Sequence, residues 1–310
     1  AVTKTILIAT EKPFSAAARD QTKAILEGAG YAVRVLESYA AESDLTAAIA
    51  EADAVIIRSD EIHAGVLDAA KSLKLVVRAG AGYDNVDIAA AKQRGVAVMN
   101  TPGQNANAVA ELVFGMLVWS ARGRFDGKTG SELKDKTIGI HALGNVGKHV
   151  LRIAQGFGMT VLAYDPFLSA DDISALGAKP VASVEELYAK SDVVSLHIPA
   201  TSETKKSIGK ALLSSMPKDG VLVNTARAEV IDEPGLLEAL KARKDLRYLT
   251  DIEPSAEHKA AFEALGKQFF TTPKKMGAQT EEANTNAATA AARQIVAFFE
   301  HGTRQFVVND

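Results

Sequence analysis

KTIGIHALGNVGKHVLRIAQGFG, residues 136–158, decides how the rest of the chain is read. An apolar run rich in β-branched residues leads into a glycine-bearing turn, and a helical pattern follows at once. This is the strand–turn–helix unit in which a dinucleotide's pyrophosphate meets a helix N-terminus. A full fingerprint has glycine at three places, and here Ala142 stands at the first, with Gly144 and Gly147 at the other two. Gly144 lets a backbone come close to a pyrophosphate and Gly147 permits tight packing of helix on strand. The first helical N–H groups, at Asn145 and Val146, are free to meet phosphate. Ala142 is expected to keep a negative φ. Taken alone, the turn could equally be an ordinary strand-to-helix connection. Asp165 adds weight, because it ends the next strand, 21 residues beyond Gly144. An acidic side chain there takes ribose hydroxyls and repels a 2′-phosphate, so NAD is the expected cofactor.

Outward from this unit, short apolar runs alternate with helical patterns. On the C-terminal side the expected strands are 136–143, 159–165, 192–198, 220–226 and 246–252; a second series precedes them at 3–9, 31–37, 53–59, 74–80 and 95–100. Ser15 is placed to cap one helix, and Gly28 and Gly30 to end it; SVEE at 183–186 has the form of a capping box. Continuous apolar strands separated by helices imply parallel sheets covered on both faces. The expectation is an α/β protein of two doubly wound, Rossmann-like domains joined by long helices. One helix should span 105–122, with Val109, Leu112, Val113, Met116 and Leu117 on one stripe. The glycine-containing stretch after it reads as an exposed connection or an arm. The small-residue helix near the C-terminus should return the chain to the first domain. The expected domains are residues 1–99 with 284–310, for substrate, and 100–283, for NAD.

Composition narrows the function. The 310 residues carry a formal charge of −3 and no long basic run, which argues against nucleic acid or an anionic membrane as partner. No apolar run approaches the roughly 20 residues that span a bilayer. The N-terminus leads directly into a strand pattern, so a cytoplasmic protein is expected. Cysteine is absent, and the six histidines lack metal-ligand spacing, so no metal site is expected.

In parallel sheets, ligands collect beyond the carboxyl ends of the strands. Arg58 and Ser59 follow one expected strand, and Arg78 with AGAG (79–82) ends another. Arg227 follows VLVNTA, Asp251 and Glu253 end LRYLT, and TPKKMGA (272–278) follows KQFF. Three arginines at strand ends suit a substrate with more than one negative group. The backbone N–H groups of Gly80, Ala81 and Gly82 suit a carboxylate.

The blocks VVRAGAGYDNVDI, NTPGQNANAVAE, ELKDKTIGI, YDP, DVVSLHIP and VNTAR occur in this order. In them the chain resembles the D-isomer-specific 2-hydroxyacid dehydrogenases over essentially its whole length. IIRSDE, RAGAGYDN and NTPGQN look most like the members that oxidise D-3-phosphoglycerate to 3-phosphohydroxypyruvate, at the entry to serine synthesis. The chain stops at FVVND, as a short form without an added regulatory domain would. The resemblance implies that Arg227 holds the substrate's carboxylate and carbonyl, that Asp251 lies near the nicotinamide, and that Glu253 is the family's Glu before Pro. The family's usual histidine falls on Lys275, counting back from Gly277, as in a lysine-bearing subgroup. Further cofactor contacts are expected at Pro199, Thr225, Ala226, Gly277 and Ala278, and a substrate contact at Asn105. A homodimer is also implied. DIEP is shorter than the family's usual loop, and Arg227-Ala228-Glu229 replaces its Arg-Gly-Gly.

A free lysine, at a pKa of about 10.4, is a poor base near neutrality, but burial and neighbouring cations lower it. A nearby Glu would do the opposite, so a displaced Glu253 is chemically reasonable. Lys274 is expected to give electrostatic support. His141 and His197 read as structural, and His63, His149, His258 and His301 as unpartnered. Two alternatives stand beside the main reading. One is a reductase of glyoxylate or hydroxypyruvate, and the other is an NAD(H)-sensing binding protein on the same scaffold.

Overall fold

A computed structural model describes residues 3–310. The chain divides into two compact units, residues 1–105 with 278–310, and residues 106–277. The described part of the first unit holds β1 (Thr5–Thr10), β2 (Ala32–Glu37), β3 (Ala54–Ile57), β4 (Leu75–Arg78) and β5 (Ala97–Asn100). They form one parallel sheet in the order β2-β1-β3-β4-β5. The second unit holds β6 (Thr137–His141), β7 (Thr160–Tyr164), β8 (Lys179–Pro180), β9 (Val193–Leu196), β10 (Val221–Asn224), β11 (Arg247–Thr250) and β12 (Phe269–Thr271). Their order is β12-β11-β10-β9-β6-β7-β8, again all parallel.

The expected strands are present but shorter, because the residues at their carboxyl ends turn out of the ladder into loops. Central strands are buried throughout, as AVII of β3 and VVSL of β9 are. The edge strand β2 departs from the expectation of two covered faces: none of its residues is fully buried. It carries Arg34 between Val33 and Val35 and ends at Glu37, the composition of a half-solvated edge. Pro180 ends the two-residue edge strand β8, where a missing N–H costs least.

Helix caps follow the sequence closely. Ser15 accepts from the Ala18 N–H at 3.2 Å, and Ser183 from the Glu186 N–H at 3.1 Å. The Glu186 carboxylate returns to the Ala182 N–H rather than that of Ser183, one residue earlier than a standard capping box. In the first unit the helix Glu281–His301 buries Ala287, Ala288, Ala291, Ala292 and Ile295 in a core with Ile6, Ile8 and Phe14. Small side chains let it lie close to its neighbours. In the second unit the helix Ala106–Ala121 packs Val113, Phe114 and Leu117 against Val150, Leu151 and Ala154 of the helix Asn145–Gly156. After it, Arg124 does not wave free: its guanidinium lies over Trp119 and donates to the carbonyls of Gly266 and Phe269. Among the described residues no helix is long and apolar enough to cross a membrane, and no group of three or more acidic or histidine side chains is arranged to hold a metal.

His141 ends β6 inside the core, with Nδ1 lacking a partner, and burial pulls its pKa down to about 4 against the weaker opposing pull of Asp165. The unfolded chain binds this proton near pH 6.5, so the stability contributed by a neutral His141 is present above that pH and is lost as pH falls toward 4. Unfolding free energy from urea titrations should therefore drop by about 2 kcal/mol between pH 7 and 5 through this group. Burial also lowers the pKa of His197, to about 3, so it contributes over the same interval, and His141→Leu should reduce the slope by about half; an unchanged slope would exclude His141 as a source.

Candidate active site

The order of the second sheet reverses at β6, which pairs with β7 on one side and β9 on the other. Ligands of open parallel sheets bind beyond the strand ends at such a reversal. The glycine turn lies there. Ala142 has φ +80°, which corrects the expectation of a negative φ. The turn needs the left-handed region whichever residue occupies it, and the alanine carries the strain that glycine would avoid. The Leu143 N–H donates to Asp165 Oδ2 at 2.9 Å, and Asp165 Oδ1 accepts from the Phe167 N–H at 2.9 Å. Asp165 therefore stands directly beside the turn. Gly144 caps the helix Asn145–Gly156, and a Cβ on it would meet open space, whereas one on Gly147 would lie 2.3 Å from the Ala142 carbonyl oxygen. The space before Gly144 and the free N–H groups of the first turn form a cradle of the kind a pyrophosphate fills.

At the ends of β10 and β11 the candidate groups converge. The Arg227 guanidinium donates to the Ala226 carbonyl at 2.8 Å, and the Lys275 ammonium donates to the same oxygen at 3.1 Å. Arg227 is exposed. Lys275 is exposed as a residue, yet its amine end lies partly buried against that carbonyl. Desolvation is the main cause that lowers its pKa below an ordinary lysine's; Asp251 opposes this, Arg227 reinforces it, and Glu229 opposes it. Lys274 is exposed, and its carbonyl accepts from the Thr272 hydroxyl at 2.7 Å, which fixes the loop.

Asp251 is 1% exposed. Its Oδ2 accepts from the N–H groups of Met276 at 3.2 Å and Gly277 at 2.9 Å, so the carboxylate anchors the loop that carries Lys275. Its Oδ1 is buried without a partner, as is Thr225 Oγ1. Buried acceptors left open in this way need a donor, and a carboxamide from a nicotinamide would supply one. The residues present therefore fit NAD. Glu253 does not join this cluster. It is exposed and ion-paired with Lys259, so its expected catalytic place is corrected: after the short turn that follows Asp251 its carboxylate has a cation of its own. The acid that bears on Lys275 from the sequence after Arg227 is Glu229. Pro199 is exposed, and its carbonyl accepts from the Thr204 hydroxyl. His197 bonds Ser195 through Nε2 at 2.8 Å, a structural arrangement. His63 and His258, expected to be unpartnered, contact Glu42 and Glu233 at 2.8 and 2.9 Å.

In the first unit, the Arg58 guanidinium donates to the carbonyls of Lys12 and Pro13 at 3.0 and 2.9 Å and lies 5.2 Å from the Phe14 ring centre. The Arg78 guanidinium donates to the Ala79 carbonyl and leaves Nε buried and unpaired. It also lies over Gly80: a Cβ there would sit 1.5 Å from its Nη1. Neither arginine has a carboxylate within ion-pair distance among the described residues. Burial is the first cause that lowers both pKa values, and the nearby charge of Arg58 lowers that of Arg78 further. Asp60 opposes the shift at both arginines and Asp84 opposes it at Arg78, yet neither carboxylate is paired with a guanidinium. Two half-buried cations close enough to repel, neither of them in an ion pair, suit an anion. Ser59, Ala81 and Gly82 are exposed beside them; Asn105 and Ala278 are half-buried in this unit.

Comparison with known proteins agrees with this geometry. Residues 108–273 match the family model of the D-isomer specific 2-hydroxyacid dehydrogenase, NAD binding domain. D-3-phosphoglycerate dehydrogenase of Methanocaldococcus jannaschii is 34% identical over 282 residues, 86% of this chain and 54% of that one. Hydroxypyruvate reductase of Thermotoga maritima is 36% identical, over 68% of this chain and 72% of its own. The crystal structure of NAD+-bound 3-phosphoglycerate dehydrogenase from Entamoeba histolytica is 46% identical, with a TM-score of 0.83, covering 100% of this chain and 99% of that one. The chain belongs to the D-isomer specific 2-hydroxyacid dehydrogenase family, and its second unit is an NAD binding domain. It spans about half the length of the first curated phosphoglycerate dehydrogenases it matches.

Asn224 was absent from the expected site, although its signal was visible: a buried Asn at a strand end has an amide to satisfy. The turn itself can be tested through Gly147. Gly147→Ala should destabilise the protein by about 1–3 kcal/mol, because its new methyl meets a backbone carbonyl that cannot swing aside. Urea denaturation and NADH fluorescence titration should show stability and cofactor affinity falling together; unchanged values in both would contradict the packing described here.

Proposed function

We propose that the protein oxidises D-3-phosphoglycerate to 3-phosphohydroxypyruvate with NAD, the first step of L-serine synthesis. The observation that carries this reading is the shared carbonyl of Ala226, which holds the Lys275 amine and the Arg227 guanidinium side by side. Arg227 offers a fork for the substrate's carboxylate and carbonyl oxygen. Lys275, in its neutral form, takes the proton of the C2 hydroxyl; the O–H electron pair then forms the C=O bond while the C2–H pair departs as hydride. NAD, when bound, supplies the acceptor for that hydride. In the reverse direction the Lys275 ammonium returns the proton to the carbonyl oxygen. Gly144, Asn145, Val146 and Gly147 would hold the pyrophosphate, Asp165 the ribose, and Asp251 and Thr225 the carboxamide end. Pro199, Gly277 and Ala278 are assigned to the cofactor by the same reading. By the same reading Arg58, Ser59, Arg78 and Asn105 are assigned to the substrate's phosphate side, and the Gly80–Gly82 backbone to a carboxylate.

Support for a phosphorylated substrate comes from the two half-buried arginines of the first unit, neither ion-paired among the described residues, and from the relatives named phosphoglycerate dehydrogenase. The hydroxypyruvate reductase among the relatives keeps a non-phosphorylated 2-hydroxy acid as the second reading. Measuring NADH formation with 3-phosphoglycerate beside D-glycerate and D-lactate separates them: a preference for D-glycerate would remove the phosphate assignment. The same reading makes the protein cytoplasmic, and the family resemblance favours a homodimer. Light scattering that returned a single-chain mass of 32.7 kDa would contradict the dimer.

Because oxidation needs the neutral amine, its rate should rise with pH until it passes the lowered pKa of Lys275, while ketone reduction should hold up at lower pH. Lys275→Ala should lose roughly 10²- to 10⁴-fold in kcat, the usual weight of general acid–base catalysis. Lys274→Ala should stay within a few-fold of the parent; the opposite pattern would move the proton transfer to Lys274.

A further inference from the structure

Asn224 ends β10, and its side chain bonds the backbone on both sides of the peptide that carries the Ala226 carbonyl. It is fully buried. Its side-chain oxygen accepts from the Ala226 N–H at 2.9 Å, and its side-chain nitrogen donates to the Arg227 carbonyl at 3.0 Å. These two bonds satisfy the peptide groups on either side of the one between Ala226 and Arg227. The carbonyl of that middle peptide is left to the Lys275 amine and the Arg227 guanidinium. The clamp is itself braced. The Asn224 amide nitrogen lies 3.4 Å from the Tyr248 hydroxyl, and the Asn224 carbonyl accepts from the Thr250 hydroxyl at 2.7 Å. Thr250 faces Asn224 in register across β11, and its hydroxyl also accepts from the Ile252 N–H at 2.9 Å. Between them stands Asp251, which holds the loop of Lys275. One side-chain amide thus sets the acceptor, and the neighbouring strand end sets the amine that reaches it.

We infer that Asn224 is a positioning residue for proton transfer: its amide clamps the Ala226–Arg227 turn so that a single carbonyl orients both Lys275 and Arg227. The inference rests on the reading of those two residues as the reacting pair. A turn of the backbone alone would give neither peptide neighbour a fixed partner, and the carbonyl would be free to rotate away from the amine. Misplacement of a reacting group by about 1 Å can cost on the order of 100-fold in rate, so the clamp has a measurable consequence.

The test uses the full chain with Asn224→Ala and Asn224→Asp. Aspartate keeps the size of the side chain and can still accept from Ala226, but in its ionised form it cannot donate to the Arg227 carbonyl, and it then adds a negative charge to the turn. NADH formation from 3-phosphoglycerate is measured across pH, with NADH binding by fluorescence and stability by urea. We expect kcat to fall roughly 10- to 100-fold in both variants while the Kd for NADH stays within about twofold. We also expect the alkaline rise of Asn224→Asp to move to higher pH, because a nearby carboxylate favours the ammonium form. A role confined to stability would lower the urea midpoint without moving the pH profile, and that result would overturn the inference. So would a parent-like kcat in Asn224→Asp, which keeps the test open should the alanine variant fail to fold. Lys275→Ala serves as the control: if it retains activity, the reading of the site fails. If it is inactive while both Asn224 variants are normal, only the clamp fails.

Discussion

One carbonyl oxygen, that of Ala226, accepts a hydrogen bond from a lysine amine and from an arginine guanidinium. Two cations normally keep apart, and bringing them to one point in a partly buried place needs an acceptor that is itself held still. The backbone provides it at the end of β10, where the chain has left the ladder and its peptide groups need new partners. The arrangement has an electrostatic consequence. Arg227 disfavours the charged form of its neighbour, and desolvation acts in the same sense, so the lysine loses its proton more readily than a free one. The interaction that places the amine is therefore part of what makes it usable as a base.

Much of the architecture was legible because parallel strands covered by helices are written as uninterrupted apolar runs, and all ten expected strands appear in the two sheets. The short edge strand β8 was missed because Lys179-Pro180 carries no apolar run, and β12 because three residues are too few to show a period. β2 was found but misread as covered, since alternating valines resemble a buried strand until the neighbours are known.

The errors at the site have local causes. Ala142 shows that glycine at a turn is a preference set by φ, and that surrounding packing can hold an alanine at +80°. Glu253 shows the limit of matching by residue type. The carboxylate was visible in the sequence, but its partner Lys259, six residues on, decides where it points. Asn224 shows a third limit: a polar residue ending an apolar strand can be seen in the sequence, but its two hydrogen bonds to backbone groups within three residues leave no spacing to read. By contrast Arg58, Arg78 and Arg227 stand out in the sequence by their place at strand ends, and Lys275 by its spacing from Gly277 in the family's block.

The ion pair of Glu253 with Lys259 takes one carboxylate away from Lys275, while Asp251 still raises the Lys275 pKa through its charge but makes no hydrogen bond to the amine. A carboxylate facing a histidine keeps it charged and oriented, which suits a group whose ordinary pKa is near 6.5. Facing a lysine, the same carboxylate would push an already high pKa further from neutrality. Here Glu253 is neutralised by Lys259, and Asp251 turns one oxygen to the amides of Met276 and Gly277. Asp251 therefore orients the lysine through the backbone of its loop, with no hydrogen bond to the amine itself. Orientation, which a histidine would receive from an acid, comes instead from a neutral carbonyl that attracts the amine through a dipole. That exchange gives up the strongest available contact and makes the neutral amine easier to reach, the form that the proposed reaction uses to take a proton.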